Sequence, residues 1–343
     1  MHIYDVLVIG SGQAGLSVGY FLKRTALDWL ILDENSKPGG AWLQTWDNLK
    51  LFSPTDYNSL SGWPMPETEE EYPTKNEFIA YLKAYENRYK FPIKRPVKVL
   101  EVEKENDLFK ITTNGKTYFS KNLVSATGTA NNPFTPNYPN QDLFKGRQLH
   151  SVNYRNSKKF SNQKVLVVGG GNSGAQILAE ISKVANPTWV TKKEPVFLPD
   201  EIDGRYLFKE ANEIYRGKKS KQISLDNIVM VESVKKARDR GDLKSVRPFI
   251  SFYEKGVVWP DGTPENFDAV IWCTGFKPNS KHLKNFNLLQ NGKIKTKKTR
   301  SLLEPNLWLV GYGNWTGFAS ATIYGVGKTA RETVKEIKQE FGV

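Results

Sequence analysis

Short apolar runs, glycine-rich turns and stretches of helical spacing follow one another in the same order twice along this chain. Tyr4-Asp5-Val6-Leu7-Val8-Ile9 ends in an unbroken apolar run, the pattern of a parallel strand buried on both faces. It enters Gly10-Ser11-Gly12-Gln13-Ala14-Gly15. From Leu16 to Lys23 the apolar residues fall at 16, 18, 21 and 22, which predicts a helix. Trp29 to Leu32 predicts the next strand, ending at Asp33-Glu34. The second copy has a strand over Lys164 to Val168 and the turn Gly169-Gly170-Gly171-Asn172-Ser173-Gly174. A helix over Ala175 to Ala185 and a strand over Pro187 to Thr191 follow, ending at Lys192-Lys193. Two further apolar strands, from Asn122 and from Asp268, close in Thr127-Gly128 and Thr274-Gly275. Small residues there let backbone meet a ligand at the crevice of a parallel sheet. An amphipathic helix opens at Ser320-Ala321-Thr322 and runs toward Lys338.

In a strand–turn–helix unit the first glycine permits the tight turn and the second lets backbone approach a pyrophosphate. The third lets the helix pack on the strand. The helix N-terminus presents free N–H groups and a positive dipole end to the phosphates. A lone turn of this kind is a weak signal. Two of them, each between a predicted strand and helix, predict an α/β fold with two Rossmann-like dinucleotide-binding domains. The residue ending the second strand separates the cofactors. Asp33 follows Gly15 by 18 positions, and Lys192 follows Gly174 by the same 18. An acid there accepts from ribose hydroxyls and repels a 2′-phosphate, whereas a base attracts one. The first turn is expected to take FAD or NAD and the second NADPH, with a solvated loop as the alternative for Lys192-Lys193.

Composition narrows the chemistry. A chain of 343 residues suggests two domains. Its single cysteine, Cys273, excludes an intrachain disulfide and a dithiol redox pair, and with only three histidines a soft-metal site is not expected. Cys273 sits in an apolar strand and reads as inert core rather than nucleophile. The net charge of +13 favours anionic partners, but the basic residues are spread along the chain, as at Lys192-Lys193, Lys218 to Lys221 and Lys293 to Arg300. No nucleic-acid-binding signature accompanies them. The longest apolar runs are too short for a membrane span, and the N-terminus lacks a signal-peptide pattern, so a cytoplasmic location is expected.

Phe144-Lys145-Gly146-Arg147-Gln148-Leu149-His150-Ser151-Val152-Asn153-Tyr154 carries a phenylalanine, glycine, histidine and closing aromatic residue just ahead of the second turn. With the two turns, it makes the chain resemble the flavin-containing (class B) monooxygenase family. Baeyer–Villiger relatives close this motif with Trp-Pro; Tyr154-Arg155 stands here, as in N- and S-oxidising members. A small subgroup associated with arsenic- and metal-resistance operons is more similar still. The resembling segments include Pro38-Gly39-Gly40-Ala41-Trp42, Leu51-Phe52-Ser53-Pro54, Phe197-Leu198-Pro199-Asp200 and Gly313 to Thr322. The resemblance implies an NADPH domain, residues 156–283, inserted into an FAD domain made of 1–155 and 284–343. It implies an NADPH-reduced monooxygenase that oxygenates a soft heteroatom (S, N or As) through a C4a-hydroperoxyflavin, with a small-molecule substrate and O2 as partners and a homodimer left open. The alternatives are an NAD(P)H-dependent flavin reductase or oxidase without oxygen insertion, and a flavin-bound accessory protein in metal resistance.

The resemblance also implies site residues. FAD would lie across Gly10, Ser11, Gly12, Gln13, Ala14 and Gly15, with Asp33 and Glu34 on the ribose. Gly40, Ala41, Trp42, Val99, Thr127, Gly128, Gly311, Ser320 and Ala321 would complete that site. Trp42 as plain core and Ser320 as a plain N-cap remain open. NADPH would lie across Gly169, Gly171, Asn172, Ser173 and Gly174, with Thr274 and Gly275 nearby and with Lys192, Lys193 and Arg155 on the 2′-phosphate. His150 serves as a hinge residue or as an acid or base. Two departures stand out. Phe52 or Ser53 falls where eukaryotic-type members place an asparagine near the reactive flavin edge, and Gly311-Tyr312 replaces the Gly-Asp of disulfide-reductase cousins.

Overall fold

The computed structural model describes residues 1–206, 208, 227–317 and 319–342. The basic stretch at Lys218, Lys219 and Lys221, and Phe318, lie outside the described residues. In chain order the elements are Ile3–Ile9 (β1), Gln13–Leu22 (α1), Trp29–Leu32 (β2), Lys75–Tyr89 (α2), Ile93–Lys94 (β3), Val99–Glu105 (β4), Leu108–Thr113 (β5) and Thr117–Ser125 (β6). There follow Arg147–His150 (β7), Lys164–Val168 (β8), Asn172–Ile181 (α3), Asn186–Val190 (β9), Glu232–Asp239 (α4), Ser245–Val246 (β10), Ala269–Trp272 (β11), Leu307–Leu309 (β12) and Ile323–Glu340 (α5).

β1 lies inside the first sheet, parallel to β2 on one side and β6 on the other, with β3 beyond β2 and β12 beyond β6. The antiparallel pair β4–β5 attaches to the first half of β6. Val6 and Val8 face Leu16 and Val18 of α1 and Val326 and Ala330 of α5. Leu7 and Ile9 face Phe109 and Ile111 of β5 and Leu309 of β12. Both faces are covered, which is why this strand is apolar without alternation. Each such fully buried side chain contributes about 1.5–3 kcal/mol. The second sheet is parallel throughout, in the order β10-β9-β8-β11-β7. Val165, Val167 and Ile271 pack there with Ile177 and Leu178 of α3 and Val234 and Ala237 of α4. The fold is α/β with two Rossmann-type units, as predicted.

The boundaries of four elements differ from the sequence reading. α1 and α3 begin at Gln13 and Asn172, inside the glycine turns, where polar and glycine residues carry no hydrophobic period. α5 begins at Ile323 and not at Ser320. Thr322 is its N-cap and accepts from the Gly325 amide, while the Ser320 hydroxyl donates to the Gly313 carbonyl 2.7 Å away. β7, which the sequence reading left in the first domain, is the edge strand of the second sheet, paired with β11. The chain crosses between the units at 128–134 and returns at 275–279. The two crossings run side by side, with backbone bonds from Asn279 to Gly128, from Lys277 to Asn132 and from Phe134 to Gly275. Among the described residues no helix is long and apolar enough to cross a membrane, and no cluster of three or more His, Cys, Asp or Glu residues could hold a metal ion.

Candidate functional site

A cavity of about 1060 Å³ opens at the carboxyl ends of β1, β2 and β6. That is where open parallel sheets bind ligands. Its walls include Gly10, Ser11, Gly12, Gln13, Ala14, Asp33, Glu34, Gly40, Ala41, Trp42, Val99, Thr127, Gly128, Gly311 and Ala321. Gly15 and Ser320 stand behind the wall, and the reason differs. A Cβ on Gly15 would come within 1.8 Å of the Gly10 carbonyl, so this glycine serves the packing of α1 on β1. Gly10 itself has φ +97°, and a Cβ there would lie 2.7 Å from the Ala126 carbonyl. Gly12 is the opposite case. The nearest protein atom to a Cβ there is Gly40 Cα at 3.7 Å, and the space beyond belongs to the cavity. Gly12 thus leaves open a cradle that a side chain would fill, beside the N-terminus of α1, and a dinucleotide pyrophosphate fits it.

Asp33 is 3% exposed, and its oxygens are taken by its own chain. Oδ2 accepts from the Ser11 amide at 2.7 Å and from the Ser11 hydroxyl, and Oδ1 accepts from the Asn35 amide and side chain at 2.7 and 3.0 Å. Arg95 stands behind this pair. It donates to Ser11 Oγ at 2.5 Å and makes two 2.8 Å bonds to the buried Glu86. Sequence reading missed Arg95, because nothing local in the sequence around Arg95-Pro96 points back to the first turn. Glu34, by contrast, accepts from Asn131 at the rim. The Trp42 ring packs edge-on against Phe78, and its Nε1 donates to Gln13 Oε1 at 2.9 Å in the cavity wall.

The second turn repeats the design. A Cβ on Gly169 or Gly174 would lie 2.2 or 2.1 Å from a backbone carbonyl oxygen, whereas Gly171 has nothing within 4 Å. Gly170 adjoins Thr191, and Lys192 and Lys193 follow on the surface. Arg247, absent from the sequence reading, reaches the same corner from β10. Its guanidinium donates to the Thr191 hydroxyl and carbonyl at 2.9 and 3.1 Å and pairs with Glu194. Arg155 does not join it. Its Nη1 donates to the carbonyls of Gln44, Val152 and Tyr154, each at 2.8 Å, holding the segment after β7 to the first unit. Asn172 is likewise committed: it donates to the Asn227 carbonyl and accepts from the Val229 amide, while Ser173 opens α3 beside it. The Thr274 hydroxyl donates to the Phe134 carbonyl, and the Gly275 carbonyl accepts from Phe134 N and from His150 Nε2 at 3.0 Å. His150 Nδ1 accepts from the Val152 amide, so both ring nitrogens are engaged at the end of β7, and burial holds its pKa below the usual histidine value.

Phe52 and Ser53 lie outside the cavity wall. Ser53 is 2% exposed and donates to Asn58 Oδ1 at 2.9 Å, and the Phe52 ring stands 6.0 Å from that of Phe208. Tyr312 is buried, with its hydroxyl 2.6 Å from both Ser125 Oγ and Thr127 Oγ1. His282, also buried, meets Ser125 Oγ through Nε2 at 3.0 Å, and burial lowers its pKa from 6.5 to about 4. The folded form therefore disfavours the proton that the unfolded chain accepts below 6.5. This stabilisation is complete above pH 6.5 and is lost as the pH falls toward 4, about 3 kcal/mol in all. His282→Phe is expected to show a pH 7 to pH 4 loss of stability smaller by that amount, read from denaturant titrations at both pH values. Equal losses would contradict it.

The pyridine nucleotide-disulphide oxidoreductase family matches residues 7–311. The chain is 33% identical to the uncharacterized oxidoreductase CzcO of Bacillus subtilis, over 98% of this chain and all of that one. The structure of the flavin-containing monooxygenase from Stenotrophomonas maltophilia is 44% identical and superposes over 99% of both chains with a TM-score of 0.92. The chain belongs to the pyridine nucleotide-disulphide oxidoreductase family. Within it, the protein is an oxidoreductase of the flavin-dependent monooxygenase type. The family name speaks of disulphides, but this pyridine nucleotide-disulphide oxidoreductase has a single cysteine, so it has no dithiol to exchange. Burial pushes the Cys273 thiol up to about 12, far from the thiolate that such chemistry needs.

Proposed function

We propose that the protein is an FAD-dependent, NADPH-reduced monooxygenase that oxygenates a soft heteroatom, S, N or trivalent As, in a small-molecule substrate. The observation that carries the heteroatom is Tyr154-Arg155 closing the linker motif where Baeyer–Villiger relatives have Trp-Pro. Bound FAD would supply the two-electron chemistry with O2. The chain's own residues bind and orient. The amides of the Gly10–Gly15 turn and of Gly40 receive the pyrophosphate, the Asp33–Ser11 pair keeps that turn rigid, and Trp42 walls the cavity beside Gln13. The Gly169–Gly174 turn receives NADPH. Lys192 and Lys193, with Arg247 beside Thr191, meet its 2′-phosphate. We assign 133–276 to the NADPH unit in place of 156–283, a division supported by the backbone bonds that join 128–134 to 275–279.

The reductase or oxidase reading is favoured by one observation, the absence of an amide side chain at positions 52 and 53. Labelled O2 separates the two. With NADPH and a panel of thioethers, amines and arsenite, the label is expected in at least one oxygenated product. If all electron pairs appear as hydrogen peroxide with every compound, the oxidase reading replaces this one.

A further inference from the structure

His282 stands in the wall of the large cavity and is 6% exposed. A chain of short contacts leads away from it. Nε2 is 3.0 Å from Ser125 Oγ, which is 2.6 Å from Tyr312 Oη. Tyr312 Oη is 2.6 Å from Thr127 Oγ1, which is 2.5 Å from the carbonyl oxygen of Asn279. The far end fixes every direction. A carbonyl oxygen only accepts, so Thr127 must commit its single proton to Asn279. Thr127 Oγ1 then accepts from Tyr312, Tyr312 accepts from Ser125, and Ser125 accepts from His282. Reversing any link would leave a pair of lone pairs facing each other at hydrogen-bond distance.

The near end is therefore an imidazole with its proton on Nε2. A neutral ring of this tautomer carries a bare lone pair at Nδ1. The low pKa agrees, since the ring stays uncharged at neutral pH. Nδ1 has no partner among the described residues, yet it is not one of the enclosed, unpaired polar atoms. It opens, then, to the cavity that His282 lines.

We infer that His282 is a binding residue of this cavity, an obligate acceptor at Nδ1 for a sugar hydroxyl of the dinucleotide seated there. The inference rests on the reading of the cavity as the FAD site. Phosphate oxygens bring no proton to a bare nitrogen, and a ring whose only N–H is committed to Ser125 offers them neither donor nor charge. Hydroxyls do bring one. The relay is built on Ser125 and Thr127 at the end of β6. Ala126 between them packs against Gly10 of the first turn, so His282 belongs to the stretch where a pyrophosphate and its flanking sugars run. FAD has hydroxyls on the ribityl chain and on the adenosine ribose, and the test distinguishes them.

Two measurements decide it. In the ¹⁵N spectrum of histidine-labelled protein, which has only three histidines, His282→Phe identifies the signal. The expected result is an Nε2–H tautomer in the FAD-free protein, with the Nδ1 resonance moving toward the protonated range when FAD is added. Dissociation constants are then measured for FAD and for analogues lacking one ribityl or ribose hydroxyl. His282→Phe is expected to bind FAD about three- to tenfold more weakly, the value of one net hydrogen bond. One analogue is expected to cost the wild type the same factor and the variant nothing, and its missing hydroxyl names the sugar. An Nδ1–H tautomer overturns the inference, as do losses that multiply independently for every analogue. If the variant does not fold, His2→Gln and His150→Gln identify the remaining signal as that of His282, and the tautomer, the Nδ1 shift and the wild-type analogue series decide. Failure of the wild type to bind FAD overturns the reading of the cavity and the inference with it. That case is recognised because the loss is then present before any substitution.

Discussion

Gly12→Val is expected to give a folded, colourless protein. A side chain at this position meets no backbone closer than Gly40 Cα, and what it does occupy is the cavity in front of α1. The substitution therefore spares the fold and excludes the pyrophosphate from the helix N-terminus, where its charge is best held. Affinity for FAD should fall by more than about a hundredfold, which is some 3 kcal/mol. Gly15→Ala supplies the contrast. A methyl group there would sit 1.8 Å from the Gly10 carbonyl, so folding itself should fail. Visible absorbance and circular dichroism of the two purified variants separate the outcomes. A yellow Gly12→Val protein that releases FAD on denaturation would falsify the placement of the cofactor.

The double change Lys192→Ala, Lys193→Ala is expected to weaken use of NADPH and leave NADH nearly untouched. Both lysines are exposed at the end of β9, next to the turn that would hold the pyrophosphate. A charge-assisted hydrogen bond to a phosphate contributes about 1.5–3 kcal/mol. Each lost contact should therefore weaken NADPH by roughly ten- to a hundredfold. NADH has no 2′-phosphate to lose. Arg247 is expected to leave a residual preference in the double variant, because its guanidinium reaches the same corner through Thr191. Apparent constants for both nucleotides check this. Equal losses with NADPH and NADH would move the lysines from the 2′-phosphate to the pyrophosphate or to the fold.

The parts of this molecule that were legible in the sequence are those whose cause is local. The β1–turn–α1 unit announces itself because a strand covered on both faces must be apolar and because Gly10 and Gly15 have no steric alternative. The equal spacing to Asp33 and Lys192 follows from the length of one strand–helix–strand unit. The residues that escaped notice owe their position to distant segments. Arg95, Arg247 and His282 arrive from loops and strand ends with no period or motif, and only the fold brings them to the turns and the cavity. Where a local signal misled, a competing local bond explains it. Ser320 has the composition of an N-cap, but Gly313 takes its hydroxyl and Thr322 caps the helix instead. Arg155 carries the right charge, yet the carbonyls of Gln44, Val152 and Tyr154 already hold it. Asn172 has the right amide, but it is used to tether residues 227–229.

The paired crossings at 128–134 and 275–279 bear on how such a chain came to be assembled. The outgoing and returning segments are one backbone hydrogen bond apart, Lys277 N to Asn132 O at 2.9 Å. A unit that enters and leaves its host through neighbouring segments needs only one opening in that host. Insertions succeed at sites of this kind because no host strand must be rerouted and little closure entropy is added. The second unit in this sense has a single doorway, and the first sheet keeps its strands on both sides of it intact.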